Sequence, residues 1–391
     1  LYSSHPNYEY KKDWLFWSEL KKRTGVTLTP TVVPMAEYND KRGKIVGSKD
    51  SPMIIPKTYP GQEEPFAAAG AILPVSDYID LMPHFKDKIS RWNLAADLDS
   101  RRQADGKFYL LPGVHEEVWV DYTLAVRIDL FKKHKIAIPA TWDEFYKALK
   151  KLKALYPGSY PLSDRFSNSP RGVPAGNLFN LVGDGFGATN LGWDYRNATW
   201  DYNAKKYVFT GSSQGLKQTL EYLNKLVKEG LLDPASFSQS DEQARQKLAQ
   251  GKSFVISTNA QTIFNDYKSD LAKIPGAKMA KIPIPTGPAG EVKTGSRLEN
   301  GIMLSTKARD SKYFVAMMQF IDWLWYSDEG NEFAKWGVEG VTYTKDPTTN
   351  KRTLNKDIDV VGMRPGASQH LQRDFGFYNG VFSYGGTTEL L

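Results

Sequence analysis

The 391-residue chain, 41% hydrophobic and 24% charged, has the composition of a folded protein and the length for two cores rather than one, which excludes general disorder. Its 51 Lys and Arg stand against 44 Asp and Glu, a net charge of +7 spread along the chain, but no zinc spacing, basic helix or RNP-like strand accompanies it, so no nucleic-acid partner is expected. The absence of cysteine excludes disulfides and thiolate chemistry, and no apolar run approaches the roughly 20 residues that cross a bilayer.

The first residues, 1–12, lack the apolar core of a signal peptide, so the chain reads either as cytoplasmic or as one whose leader has been removed. Over 11–25, Trp14, Leu15, Trp17 and Leu20 recur at helical spacing before a glycine stop, and 26–34 then alternates as a strand. The apolar run 51–56 reads as a buried strand, the turn-rich 57–62 as an exposed loop and 63–72 as a helix. Loops after the carboxyl ends of such strands are where α/β folds hold ligands. Residues 105–112 join a polar turn to a buried strand, and 115–127 alternates as a further strand.

Thr141, with Glu144 three residues on, forms a capping-box pattern ahead of the apolar face Phe145, Leu149 and Leu152. Leu216, Leu220, Leu223 and Val227 mark another helix that stops at Gly230. Residues 240–258 read as helix, glycine turn and strand; 311–337 as a long apolar helix broken around Ser327 to Gly330. The Gly/Pro-rich 281–301 is a candidate crossing between domains. Helices and strands alternate throughout, so the fold class is α/β.

Catalytic signatures are weak. Gly251-Lys252-Ser253 ends like a phosphate loop, but Gln246 stands where the first glycine belongs, and the triplet follows a helix and precedes a strand, the reverse of the required order. Neither G-x-S-x-G nor H-E-x-x-H occurs, and His5, His84, His115, His134 and His370 are scattered. No catalytic residue, metal or cofactor is therefore expected. Glu116 and Glu117 are adjacent and would point to opposite faces of a strand, so they cannot pair with each other as a glycosidase requires. Either could pair with a distant carboxylate, which keeps a glycoside hydrolase as the alternative reading.

Aromatic residues, 13% of the chain with 10 Trp and 21 Tyr, suit a ligand with apolar C–H faces ringed by hydroxyls, as in a sugar. Trp14, Trp17, Trp323 and Trp325 fall in amphipathic helices and read as core. Tyr59, Trp119, Trp193 and Trp336 fall in loops or at element ends, where ligand contact and interface packing are equally expected. Arg171, Arg297, Glu299 and Asn300 are polar loop residues, read as ligand contacts or simply as solvated surface.

Four stretches, 104–112, 124–157, 220–237 and 327–343, together resemble, in order and spacing, the extracellular solute-binding proteins of ABC sugar importers, family 1 type, and most of all the oligosaccharide-binding lipoproteins; the resemblance spans roughly residues 50–345. It implies a two-lobe, periplasmic-binding-protein-like fold of type II, with a ligand cleft between lobes joined by crossing strands. The implied division is 1–115 in the N-terminal lobe, 116–280 in the C-terminal lobe with a hinge near 116–126, 281–308 returning to the N-terminal lobe and 309–391 to the C-terminal one. It places Glu117 and Trp119 near the cleft floor, Tyr59 and Gln62 on an N-lobe loop, Asn259 and Gln261 on a C-lobe loop, and Arg297 and Glu299 at the edge of the returning segment. Arg171, Asn177, Trp193 and Trp336 complete the candidate ligand set.

The implied function is a non-catalytic receptor, a monomer, that closes on an oligosaccharide and delivers it to an ABC transporter permease. The basic excess with Arg171 and Arg297 points to an acidic, uronide-containing ligand. The location implied is extracytoplasmic, in a periplasm or lipid-anchored on the outer face of the cell membrane. The same fold could serve peptides or other solutes. Two departures from the family stand out: residues 154–166 lack the D-x-N-x-K calcium loop of alginate- and uronide-oligosaccharide binders, so no calcium is expected there, and 346–391 do not follow the family pattern.

Overall fold

The main elements include, in chain order, helix α1 (Leu15–Thr24), strand β1 (Ile54–Thr58), helix α2 (Pro83–Arg91), and two strands in succession, β2 (Leu111–Trp119) and β3 (Thr123–Arg127). Next come α3 (Trp142–Leu155), α4 (Asn177–Phe186), α5 (Gln214–Lys228), α6 (Asp241–Ala249), β4 (Val255–Thr258), β5 (Met279–Ile282), β6 (Ser296–Leu304), α7 (Phe314–Tyr326), α8 (Asp328–Trp336) and β7 (Ser383–Tyr384). This is a computed structural model, and it describes all residues except 49, 169–173, 190, 192–197, 202–203, 273, 291–294, 361–363, 365 and 387–391. Two units result: Leu1–Trp119 with Ser296–Leu391 (unit 1), and Val120–Gly295 (unit 2).

Unit 1 holds a four-stranded sheet in the order β7-β2-β6-β1, with β6 antiparallel to both β1 and β2, and β7 parallel to β2. Its core joins Phe85, Leu111, Val114, Ile302, Ile321, Leu324 and Phe333, all nearly inaccessible. Asp322 looks misplaced in the apolar run of α7, yet its carboxylate accepts the backbone N–H groups of His84 (3.0 Å) and Phe85 (2.8 Å) at the start of α2. A helix N-terminus has unsatisfied donors and positive potential, so this buried acid locks α7 onto α2. Tyr326 Oη donates to the carbonyl of Pro112 (2.7 Å), tying the same helix to β2.

Unit 2 holds a three-stranded sheet, β4-β3-β5, antiparallel throughout, with every residue of β3 buried. Helix α3 packs Trp142, Phe145, Leu149 and Leu152 into its core. Thr141 caps it as expected, accepting from Glu144 N (3.2 Å), but the Glu144 carboxylate reaches back to Ala140 N (2.8 Å) rather than to the cap residue itself. Gly251 sits at φ 68° in the turn between α6 and β4, a left-handed conformation that glycine adopts without steric cost, which confirms the turn reading over a phosphate loop.

Several sequence expectations are corrected. The alternating run 115–127 is split: β2 stops at Trp119 in one sheet and β3 begins at Thr123 in the other. The strand expected over 26–34 shrinks to Val32–Pro34. The long helix breaks at Ser327 alone, whose Oγ caps α8 through Gly330 N (2.8 Å); Gly330 lies inside α8, where a Cβ would meet the Trp323 carbonyl. The division of the chain also differs. Residues 281–295 remain in unit 2, where β5 pairs with β3, and 309–391 lie in unit 1, because α7 docks on α2 and β7 pairs with β2. These contacts join residues far apart in sequence, which local patterns do not encode.

Candidate ligand-binding site

Strands β1 and β2 run parallel to each other on either side of β6, so their carboxyl ends lie at the same end of the unit 1 sheet. That is the end where α/β sheets hold ligands, because the strands stop there and the loops diverge. Two candidate groups meet this condition: Tyr59 and Gln62, just after β1, and Glu117 with Trp119, at the end of β2.

The β2 end is irregular. Trp119 pairs with Ser296 and Val114 with Leu298, so five steps along β2 are matched by only two along β6. The surplus residues bulge outward: Glu117, Val118 and Trp119 are exposed, Trp119 to 49%, while His115 remains 7% exposed. Bulges of this kind re-aim side chains and are frequent beside binding sites. In an unbroken strand, residues four apart lie roughly 13 Å from each other. Here the rings of His115 and Trp119 stack at 5.8 Å, with 7° between their planes. Tyr384, the β7 residue opposite His115, stacks on the imidazole as well, at 4.6 Å and 12°. Lys335 Nζ lies 5.7 Å from the Tyr384 ring centroid.

Polar groups hold the bulge. The Arg297 guanidinium donates to the carbonyls of Glu116 (2.9 Å), Asn93 (3.2 Å) and Trp92, and lies 3.6 Å from Asp97. Gly386 N donates to Glu116 Oε2 (2.6 Å). Ser296 Oγ bridges both backbone groups of Leu298, donating to its carbonyl (2.8 Å) and accepting from its N–H (2.9 Å). Glu299 Oε2 stands 3.8 Å from His115 Nε2, an ion-pair distance, and its other oxygen accepts from Asn300 N (2.8 Å) and Nδ2 (3.1 Å). Burial pushes the Glu299 carboxyl up, but His115 and the Asn300 donors outweigh it and hold the group below the usual carboxylate range. Among the described residues, the Glu117 carboxylate has no hydrogen bond or ion pair.

The β1 loop is built around buried Arg42, which donates to Lys57 O (2.7 Å), Thr58 Oγ1 (3.2 Å) and Gln62 Oε1 (2.8 Å). Gln62 Oε1 also accepts from Tyr59 N (3.3 Å), and Glu63 accepts from Gly61 N (2.7 Å). Burial raises the Glu63 carboxyl above its ordinary value despite that bond. The Tyr59 ring is half exposed on this rigid loop.

In unit 2, Asn259 follows β4 and uses both ends of its amide: Oδ1 caps the next turn through Thr262 N (2.9 Å), and Nδ2 donates to Asp121 Oδ2 (2.9 Å). Lys281 Nζ donates to the Asp121 carbonyl (2.7 Å), and burial holds its ammonium below its ordinary value. Gln261 is exposed beside this cluster, and Asn177 is buried at the first turn of α4.

Tyr59, Gln62, Glu117, Trp119 and Glu299 thus all lie in unit 1, the first two after a strand end level with Gly301 of β6 and Trp119 further along, opposite Ser296, while Asn259 and Gln261 lie in unit 2. Arg171 and Trp193 lie outside the described residues. Trp336 ends α8, as expected of an element end, but is 7% exposed and packs against Tyr343 at 5.8 Å. Arg297 is a support of the bulge, its guanidinium already directed at protein carbonyls. Sequence reasoning missed His115, Tyr384, Arg42 and Asp121; a lone histidine four residues before a tryptophan in a strand-like run is no signal, because an unbroken strand would separate them.

The family profile described as bacterial extracellular solute-binding protein matches residues 8–332. The chain belongs to that family. It is 25% identical over 250 residues to lipoprotein LipO of Bacillus subtilis, covering 61% of this chain and 45% of LipO. It is 23% identical over 350 residues to the polygalacturonan/rhamnogalacturonan-binding protein YtcQ of the same organism, covering 87% of this chain and 66% of YtcQ. The chain therefore spans less than two thirds of either relative. Among solved structures, it resembles the S. pneumoniae ABC-transporter substrate-binding protein FusA in complex with kestose, with a TM-score of 0.68, 19% identity and coverage of 100% of this chain and 77% of FusA. This solute-binding protein thus has the two-lobe fold of its family, and among its described residues no helix is long and apolar enough to cross a membrane.

Proposed function

We propose that this solute-binding protein is the substrate-binding component of an ABC importer, capturing an oligosaccharide at the extracytoplasmic face and delivering it unaltered to a membrane permease. The observation that carries this reading is the exposed Trp119 indole at the carboxyl end of β2, with the exposed Glu117 carboxylate, unpartnered among the described residues, two positions away. A flat ring matches the C–H face of a pyranose, and a carboxylate accepts from vicinal hydroxyls. Tyr59, Gln62 and Gln261 are the further contacts proposed. The sugars named for YtcQ and FusA support the ligand class.

An acidic ligand is favoured by the net charge of +7 and by the polygalacturonan named for YtcQ. Arg297 is not the group proposed to pair with it, since its two terminal amino groups donate to the carbonyls of Trp92, Asn93 and Glu116 and its Nε is buried. Calorimetric titration with paired neutral and uronide trisaccharides, followed by chromatography of the recovered sugar, tests the reading. Saturable binding with intact sugar by a monomeric species supports it, and the tighter member of each pair decides the charge. Cleaved sugar would establish a glycoside hydrolase, and no heat from any sugar, but heat from peptides, would move the ligand to that class.

A further inference from the structure

The stack beneath Trp119 lies behind the ring and would not itself touch a sugar on its exposed face. Its members come from three places: Trp119 and His115 from β2, Tyr384 from β7, and Lys335 from α8. It exists only because the bulge folds β2 back on itself, and the bulge is pinned by Arg297 and by Glu116 with Gly386. An exposed indole on a bulged, half-unpaired strand end would sample several rotamers. The His115 ring lies parallel to the indole with its centroid 5.8 Å away, and Tyr384 stacks on the imidazole in turn, with Glu299 Oε2 3.8 Å from its Nε2.

We propose that His115 is a positioning residue, which backs the Trp119 indole so that the ring presents a single preset face to the ligand. This rests on the reading of Trp119 as the sugar platform. Affinity then depends on His115 although it touches no sugar, because a platform ordered in advance loses less entropy on binding. The chemical requirement at 115 is a flat ring, so phenylalanine replaces histidine whereas alanine does not.

The test uses the whole chain labelled with 5-fluorotryptophan, with the Trp119 resonance assigned by its loss in Trp119→Phe. In ligand-free protein, His115→Ala is expected to remove the ring-current shift of that resonance and broaden it, and His115→Phe to retain both shift and sharp line. A Trp119 resonance unmoved in His115→Ala overturns the proposal without any ligand. Titration with kestose and with trigalacturonate then gives the second arm: about tenfold weaker binding of the recognised sugar in His115→Ala, and within about threefold of wild type in His115→Phe. Equal losses in both variants overturn the positioning role, since the ring would not be what matters. Wild-type affinity in Trp119→Ala would instead overturn the platform reading itself. Unfolding midpoints are followed in parallel, and His115→Phe keeps the test decisive should His115→Ala fail to fold.

Discussion

Strands β2 and β3 follow one another with only 120–122 between them, yet they solve opposite problems. Every residue of β3 is buried and paired in regular register, Leu124 to Val126 on both sides: Leu124 with Ser257 and Ile282, Ala125 with Ile256 and Lys281. The last residues of β2 abandon register, leave the interior and are held by side chains instead of ladder bonds. Regular pairing maximises backbone hydrogen bonding and burial, and so serves stability; a bulge gives up part of both and gains freedom to aim a ring and a carboxylate outward. The difference places stability in β3 and, on the function proposed, recognition in β2.

The largest expected effect would come from breaking the support of the regular strands. Asp164 is wholly buried and accepts from Ser257 N (2.7 Å) and Arg165 N (2.8 Å) while pairing with Arg165 Nη1 at 3.2 Å. Asp164→Ala orphans two buried backbone N–H groups and removes one of the two carboxylates that pair with Arg165, leaving Asp241, and is expected to cost about 3 kcal/mol, read by urea unfolding. A loss below about 1 kcal/mol would show that the pair is replaceable by water. Next, Leu124→Ala opens a cavity in β3 and is expected to cost about 3 kcal/mol. Neither change should alter sugar affinity of the folded fraction; if either does, stability and recognition are not separate.

Acid sharpens the comparison from the side of unit 1. Burial pushes the Glu332 carboxyl up, but hydrogen bonds from Arg352 and Tyr343 and the charges of Arg352 and Lys345 reverse this and hold it down to about 2, from an ordinary 4.5. Because the folded value is the lower one, this stabilisation is fully present above pH 4.5 and is lost as pH falls toward 2, roughly 3 kcal/mol in all. Glu332→Gln should flatten that limb in an acid unfolding series followed by circular dichroism; an unchanged limb would assign acid sensitivity to other carboxylates. The smallest effect is expected at the bulge. Glu117→Ala should leave stability within about 0.5 kcal/mol and weaken sugar binding about tenfold by calorimetry. The opposite pattern, lost stability with intact binding, would place Glu117 with the structural residues.

Much of the fold was legible because its signals are local. The stripe and cap of α3, the stop of α5 near Gly230 and the helix–turn–strand around Gly251 all depend on neighbours within one turn of chain. Of the proposed site, Trp119 and Tyr59 stand out by residue type and by their place in loops or at element ends, and Glu117 and Gln62 by the family resemblance. Arg297 reads as a polar loop residue open to a ligand, whereas its carbonyl partners at 92, 93 and 116 come from other parts of the sequence.

The sequence by itself determined the α/β class, the family and most helices, since periodicity, caps and turn residues act over short distances. Only the tertiary structure decided that 309–391 complete unit 1, that β2 bulges where it meets β6, and that His115, Tyr384 and Trp119 share one stack. The reason is physical: register between strands separated by well over a hundred residues is chosen by the packing of the whole sheet, and no local pattern carries that information.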